Sequence, residues 1–178
     1  MLEQQSERGT IDLFYGDETG VSEQGYVPYA WQFKDEEVSI RACRGRSMNY
    51  FGLLSRSNAF FYRASSQAIT SSFVLEQLDA FSFKLVRPTV VVLDNASIHT
   101  AHKIRQRLGL WQDRGLYVFY LPPYSPHLNL IERLWKELKA RWLRPCDYVS
   151  ADALFYAAEL ALAAVGTILR INFSTFKL

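Results

Sequence analysis

Three carboxylates stand where their types and spacing could do chemistry. Asp94 ends an unbroken apolar run, Val90-Val91-Val92-Leu93, that reads as a strand buried on both faces. A carboxylate at the point where such a strand leaves its sheet lies where α/β folds commonly place a site. Asp17 continues the alternation Ile11, Leu13, Tyr15 and therefore faces the side of the sheet that carries core side chains. Glu132 falls in the first turn of an amphipathic helix, entered through the proline-stiffened stretch Leu121-Pro122-Pro123-Tyr124-Ser125-Pro126. It sits one step, about 100°, from Ile131, at the border of the apolar stripe, and can point at a sheet edge without entering the core.

Brought together, three carboxylates repel one another and raise one another's pKa values. A divalent cation removes that penalty. Hard oxygen donors with no Cys or His sphere select magnesium or manganese over zinc. Two such ions roughly 4 Å apart can activate a water or a 3′-hydroxyl and stabilise the leaving oxygen of a phosphodiester. Each acid also has a plainer structural role open to it. Asp17 suits the opening of a turn, Asp17-Glu18-Thr19-Gly20, and Asp94 suits turn chemistry with Asn95 and Ser97. Glu132 suits the positive end of a helix macrodipole. Glu18 and Glu137 read as solvated, His99 as a surface or hydrogen-bonded helix residue, and Trp135 and Trp142 as core.

The elements that must position these acids follow from periodicity and punctuation. Residues 1–10 are polar and expected to fray. A strand covers 11–16, a loop 20–37, and a short strand 38–43. Strands 47–54 and 59–64 form a hairpin around Arg56-Ser57-Asn58. Phe73, Val74, Leu78 and Phe81 mark a helix over 70–83, and Pro88 precedes the central strand. A helix over 98–111, capped by Ser97, is followed by a strand over 116–121. Ile131, Leu134, Trp135, Leu138 and Trp142 define a helix over 129–143, stopped by Pro145. Ser150 caps a last helix, 151–169, ended near Gly166. Such an order suggests a central sheet with helices on its faces.

The chain's 178 residues, 49% hydrophobic, suit one domain with a sizeable core. A net charge of +2 is too small to argue for nucleic acid, so local clusters matter more. Arg133, Lys136, Lys139, Arg141 and Arg144 lie on or after the Glu132 helix, and Arg41, Arg44 and Arg46 form a second group. Lys136 and Lys139 share a face with Glu132 and are placed to hold phosphates. A solvated face with i, i+4 support to Glu132 accounts for them equally simply. Cys43 and Cys146 offer neither metal spacing nor a disulfide framework, read as structural, and suit a reducing cytoplasm. The run 157–165 is too short to span a bilayer and contains Glu159, so no membrane partner is expected.

Val91-Val92-Leu93-Asp94-Asn95-Ala96-Ser97-Ile98-His99, then Leu121 through Trp135 with Asn129, Ile131 and Glu132, resembles the catalytic core of mariner-related bacterial insertion-sequence transposases. Tyr15-Gly16-Asp17-Glu18-Thr19-Gly20 is similar to that family's first-acid segment, and the resemblance runs from Ile11 to Arg144. These are DDE-type enzymes. The resemblance implies an α/β, ribonuclease-H-like mixed five-stranded sheet, three antiparallel strands then two parallel, over 11–178. It implies that Asp17, Asp94 and Glu132 are the catalytic, metal-binding acids, with Mg2+ or Mn2+, two ions, as cofactor. Asn95, His99 and Asn129 take supporting roles, Arg133, Lys136 and Lys139 contact DNA, and Pro122, Pro123 and Pro126 fix the loop that delivers Glu132. The implied activity is cleavage of DNA at element ends and 3′-hydroxyl transfer into target DNA at TA, by a homodimer acting at the nucleoid. The interval between Asp94 and Glu132 is slightly longer than the family's commonest. The family's N-terminal helix-turn-helix region has no room before the first strand, which leaves three readings: an isolated catalytic domain, a second reading frame of a split gene with the helix-turn-helix on a separate polypeptide, or a decayed copy. A nuclease without strand transfer, or a silent DNA-binding or assembly remnant, would use the same fold.

Overall fold

β4 (Thr89–Leu93) is buried along its whole length, as its unbroken apolar run requires. The computed structural model describes residues 1–24, 34, 45–123 and 125–173. Within them β1 (Asp12–Ser22), β2 (Ser47–Ser55), β3 (Phe60–Ser65), β4 and β5 (Leu116–Tyr120) form one sheet in the order β3-β2-β1-β4-β5. The β3-β2-β1 pairings are antiparallel and the β1-β4-β5 pairings parallel, so the mixed five-stranded sheet expected from the resemblance is present.

Helices cover both faces. On one side α2 (Ser71–Ser82) and α3 (His102–Asp113) bury Val74, Leu78, Phe81, Ile104 and Trp111 against Phe14, Phe51, Leu53, Val91 and Leu93. On the other, α4 (Ile131–Glu137) and α5 (Ala151–Ala163) bury Ile131, Leu134, Trp135, Leu154, Ala158 and Leu162 against Leu13, Tyr15, Tyr50, Leu54, Val90 and Val92. Alternate residues of β1 and β4 thus feed opposite cores, which is the period-2 rule of a strand. Thr70 caps α2 by accepting from Phe73 N, and Ser150 caps α5 by accepting from Ala153 N. No helix among the described residues is long and apolar enough to cross a membrane.

Several expectations are corrected. Leu2–Glu7 is a helix, α1, instead of a frayed end, because Glu3 is held by Tyr15 (2.5 Å) and Arg56 (2.7 Å). β1 continues through Asp17–Gly20 to Ser22, because β2 pairs with it as far as Ser22↔Ser47, so no turn opens at Asp17 and the loop begins later than residue 20. α3 starts at His102, not at 98. The amides of His99 and Thr100 turn back to Ala96 O, and Ser97 caps nothing. The helix expected over 129–143 is an α-helix only over Ile131–Glu137. It follows a 3-10 turn at Pro126–Leu128 and passes into a π-helical stretch, Leu138–Trp142. α5 ends at Ala163, with Gly166 at φ +86° in the turn beyond. The strand expected over 38–43, Arg41, Cys43, Arg44 and Tyr124 lie outside the described residues.

Candidate active site

The parallel register of β1 on β4 pairs Tyr15 with Val92, and two residues further along each chain stand Asp17 and Asp94. Both acids therefore stand just past the last β1–β4 pair, Asp17 still within β1 and Asp94 one residue beyond β4. Asp17 is buried and shares the face of Leu13 and Tyr15, the side covered by α4. Across β2, Gly52 pairs with Asp17 and lies under Ile131 and Trp135 of α4. That close approach brings the first turn of α4, with Glu132, over Asp17.

Asn129 fixes the entry of α4. It is buried, its Nδ2 donates to Gly16 O at 3.0 Å, and its own carbonyl accepts the Glu132 amide at 3.1 Å. The residue before Asp17 and the residue that becomes Glu132 are thereby tied through one side chain. Asn95 makes a parallel tie at the end of β4, where its amide donates to Leu121 O and joins the loop after β4 to the loop after β5.

The acids lie near enough to sense one another's charge. Burial, then the charges of Glu18, Glu132 and Asp94, push the Asp17 carboxyl up to about 8, against the lowering effect of a hydrogen bond from the Glu18 amide. Asp94 behaves in the opposite way. A hydrogen bond with His99 Nδ1 (2.7 Å), aided by the Ala96 amide (2.9 Å), holds its carboxyl below the usual range although burial acts to raise it. Burial opposes the charge on His99 too, but the contact with Asp94 and the adjacent charges of Asp94 and Glu18 outweigh it and push the ring up to about 9. Lys139 feels Glu132 and Asp17 as attractive charges, and its half-buried position nevertheless lowers its pKa.

Glu132 and Lys136 form a ridge between two open grooves, of about 810 and 840 Å3. Arg133 lines the first and Lys139 the second. Asp94 and Asn95 border a third recess, of about 540 Å3, against the Pro122–Pro123 loop. The i, i+4 ion pair of this helix joins Glu137 to Arg141 at 3.2 Å, so Glu137 is not simply solvated. Arg46 pairs with Asp152 at 3.0 Å, and Cys146 is an exposed free thiol, not a buried structural one. Trp135 is core, and Trp142 is half-buried against it.

A hard divalent cation suits these donors. Asp17 is a buried carboxyl whose neighbours are other carboxylates, and a cation would reverse the penalty that keeps it protonated. Among the described residues no three His, Cys, Asp or Glu side chains converge closely enough to cage an ion as they stand. The three acids are neighbours around an opening, not a closed cage.

Sequence reasoning missed two contributors. Glu18, expected in solvent, turns to the face opposite Asp17 and brings Oε2 to 3.1 Å from His99 Nε2. His99 is fully buried in the turn before α3 and is not a helix or surface residue. Strand parity was the available signal for Glu18, since the neighbour of an inward Asp17 must face the other core. Gly52 was invisible in sequence, because its role depends on what lies above it.

Residues 12–154 match the family model described as DDE superfamily endonuclease. The chain belongs to that family. No curated protein matches the sequence. Among solved structures, the mariner Mos1 paired-end complex with Mg is similar, with a TM-score of 0.64 and 18% identity over 92% of this chain and 52% of that one. The Mos1 strand transfer complex matches with a TM-score of 0.62 and 17% identity over 92% and 51% of the two chains. The catalytic core domain of BIV integrase matches with 0.52 and 17%, over 85% and 81%. At these identities the likeness is one of fold, and the fold of this DDE endonuclease chain is the ribonuclease-H-like one. The chain spans about half the length of the Mos1 chains it resembles.

Proposed function

We propose that this chain is the catalytic core of a DNA transposase, cutting phosphodiester bonds at element ends and joining the 3′-hydroxyl to target DNA at TA. The observation that carries this is geometric: the β1–β4 register sets Asp17 and Asp94 side by side, and the close seat of α4 on Gly52, the partner of Asp17, brings the Glu132 turn beside them. Asp17, Asp94 and Glu132 would hold Mg2+ or Mn2+, one ion or two, which when bound activate the attacking oxygen and neutralise charge on the phosphate. Asp94 presents Oδ2, because Oδ1 is engaged by His99 and Ala96. Asn129 holds Glu132 against Asp17, and Asn95 holds the loop beside Asp94. Lys136, Lys139 and Arg133 flank Glu132 along open grooves, where they would track the DNA backbone through its phosphates.

The family match supports the endonuclease chemistry. The names of the Mos1 structures, with paired ends, strand transfer, Mg and Mn, support a reading in which two copies of this chain join DNA ends. A bacterial cytoplasm is the setting in which such a protein meets its DNA.

Supercoiled plasmid incubated with the purified chain and Mn2+ tests this reading. Nicking that needs the metal and is lost in Asp17→Asn, Asp94→Asn and Glu132→Gln is expected, together with joined products when 3′-hydroxyl ends are supplied. Cutting with no joined product would leave a nuclease. DNA affinity without metal binding would leave a silent assembly module.

A further inference from the structure

We infer that Glu18 is a positioning residue for this reaction, acting on Asp94 through the imidazole of His99. The inference rests on the proposed role of Asp94 as a metal ligand.

Glu18 and Asp17 are consecutive on β1 and so point to opposite faces of the sheet. Glu18 pairs with Phe51 of β2, whose ring lies tilted at 59° to that of His99 with centroids 6.2 Å apart. The His99 side chain has no solvent exposure. Its Nδ1 lies 2.7 Å from Asp94 Oδ1 and its Nε2 lies 3.1 Å from Glu18 Oε2. The second contact is an ion-pair approach and not an aligned hydrogen bond, for neither atom has a hydrogen-bond partner among the described residues. The backbone of His99 is fixed as well, with its carbonyl accepting the Tyr120 hydroxyl at 3.0 Å and its amide donating to Ala96 O at 3.0 Å.

Asp94 needs such a brace. It lies one residue beyond β4, and its side chain is 45% exposed, so packing does not choose its rotamer. Two donors to Oδ1, the Ala96 amide and the His99 ring, set the plane of the carboxylate and leave Oδ2 free to face the opening. A buried imidazole beside a single carboxylate could meet it through either nitrogen, in either tautomer. A second carboxylate on the far side, 3.1 Å from Nε2, removes that freedom by pinning the ring in the orientation that turns Nδ1 to Asp94. Partners that orient a ligating carboxylate typically contribute about 10- to 100-fold in metal affinity.

Manganese binding to the DNA-free protein, read by the electron paramagnetic resonance of free Mn2+, tests this, alongside thermal unfolding without metal and DNA affinity. Glu18→Gln should weaken Mn2+ binding about tenfold, while DNA affinity and the metal-free Tm stay close to those of the parent. His99→Gln, which can still donate to Asp94 but cannot reach both acids, should weaken it by a similar factor. If Asp94→Asn abolishes Mn2+ binding and Glu18→Gln leaves it unchanged, the inference fails while the proposed function stands. If Asp94→Asn itself leaves Mn2+ binding intact, the role of Asp94 fails and takes the inference with it. Should Glu18→Gln not fold, the unaltered protein still decides. In 1H–15N spectra a single fixed His99 ring with Nδ1 toward Asp94 is expected, and a ring that exchanges between orientations overturns the inference.

Discussion

Gly52 pairs directly with Asp17, and a Cβ at Gly52 would come within 3.0 Å of the Trp135 ring and 3.2 Å of Ile131 Cδ1. The glycine is therefore the contact point that lets α4 settle on the sheet beside Asp17. A Cβ there would also lie 2.8 Å from the Phe60 ring, so three large side chains would have to yield together. Gly52→Ala should cost about 1–3 kcal/mol by overpacking. It should also lift Glu132 away from Asp17, so plasmid nicking falls more than DNA affinity. Urea unfolding and nicking rates check the two halves, and unchanged nicking in a destabilised variant would show that α4 has room to shift without moving Glu132.

Asn129 joins the same two parts of the site through hydrogen bonds. Asn129→Ala removes the donor to Gly16 O in a buried place, a loss of about 1–3 kcal/mol. The first turn of α4 would then be held only by packing. Chemical denaturation should show the stability loss, and nicking should need a higher Mn2+ concentration than in the parent. Asn129→Asp, which keeps the shape but adds a charge beside Asp17, should be worse than alanine for metal-free stability.

Much of this was legible in the sequence because the signals were local. The apolar run of β4, the stripe Ile131, Leu134, Trp135, Leu138, and the hairpin around Asn58 each announce an element by period or turn chemistry, and each is present. Asp17 was placed on a core-facing side of its strand by parity alone, and its burial follows. Contacts between distant segments were not legible. Glu3 lies far from Arg56 in the chain, yet their ion pair turns a polar N-terminus into a docked helix. Glu18 looked solvated because His99 was assigned to a helix that begins only at His102. The extension of β1 past Asp17 depends on β2 offering partners as far as Ser47, which no local pattern encodes.

The docking of α1 should respond to acid. Burial acts to raise the Glu3 carboxyl, but hydrogen bonds from Arg56 and Tyr15 and the Arg56 charge outweigh it and hold its pKa below the usual value. A carboxyl depressed in the folded state contributes stability above its unfolded pKa and loses it as pH falls through the folded one. The parent should therefore lose Tm below about pH 4.5 more steeply than Glu3→Gln, with the two curves parallel at neutral pH. The pair is partly exposed, so the difference at pH 7 should be about 1 kcal/mol or less. Parallel curves throughout the acid range would mean that α1 docks without the ion pair.

Lys136 and Lys139 should separate into different roles although both flank Glu132. Lys136 is exposed and lines both grooves, so it can contact only what lies in them. Lys136→Ala should weaken DNA binding and reduce the slope of log K against log salt by about 0.9, leaving Mn2+ affinity unchanged. Lys139 is half-buried and interacts with Glu132 and Asp17. Its ammonium therefore partly neutralises the acids when no metal is bound and repels an ion that approaches them. Lys139→Ala should tighten Mn2+ binding. The repulsion removed is on the order of 1 kcal/mol between a divalent ion and an ammonium in a wet groove, or about fivefold in affinity. Mn2+ titrations of both variants, paired with salt-dependent DNA binding, would reveal whether the division holds. Equal effects of the two lysines on metal and on DNA would show that Lys139 faces the groove as Lys136 does and not the acids.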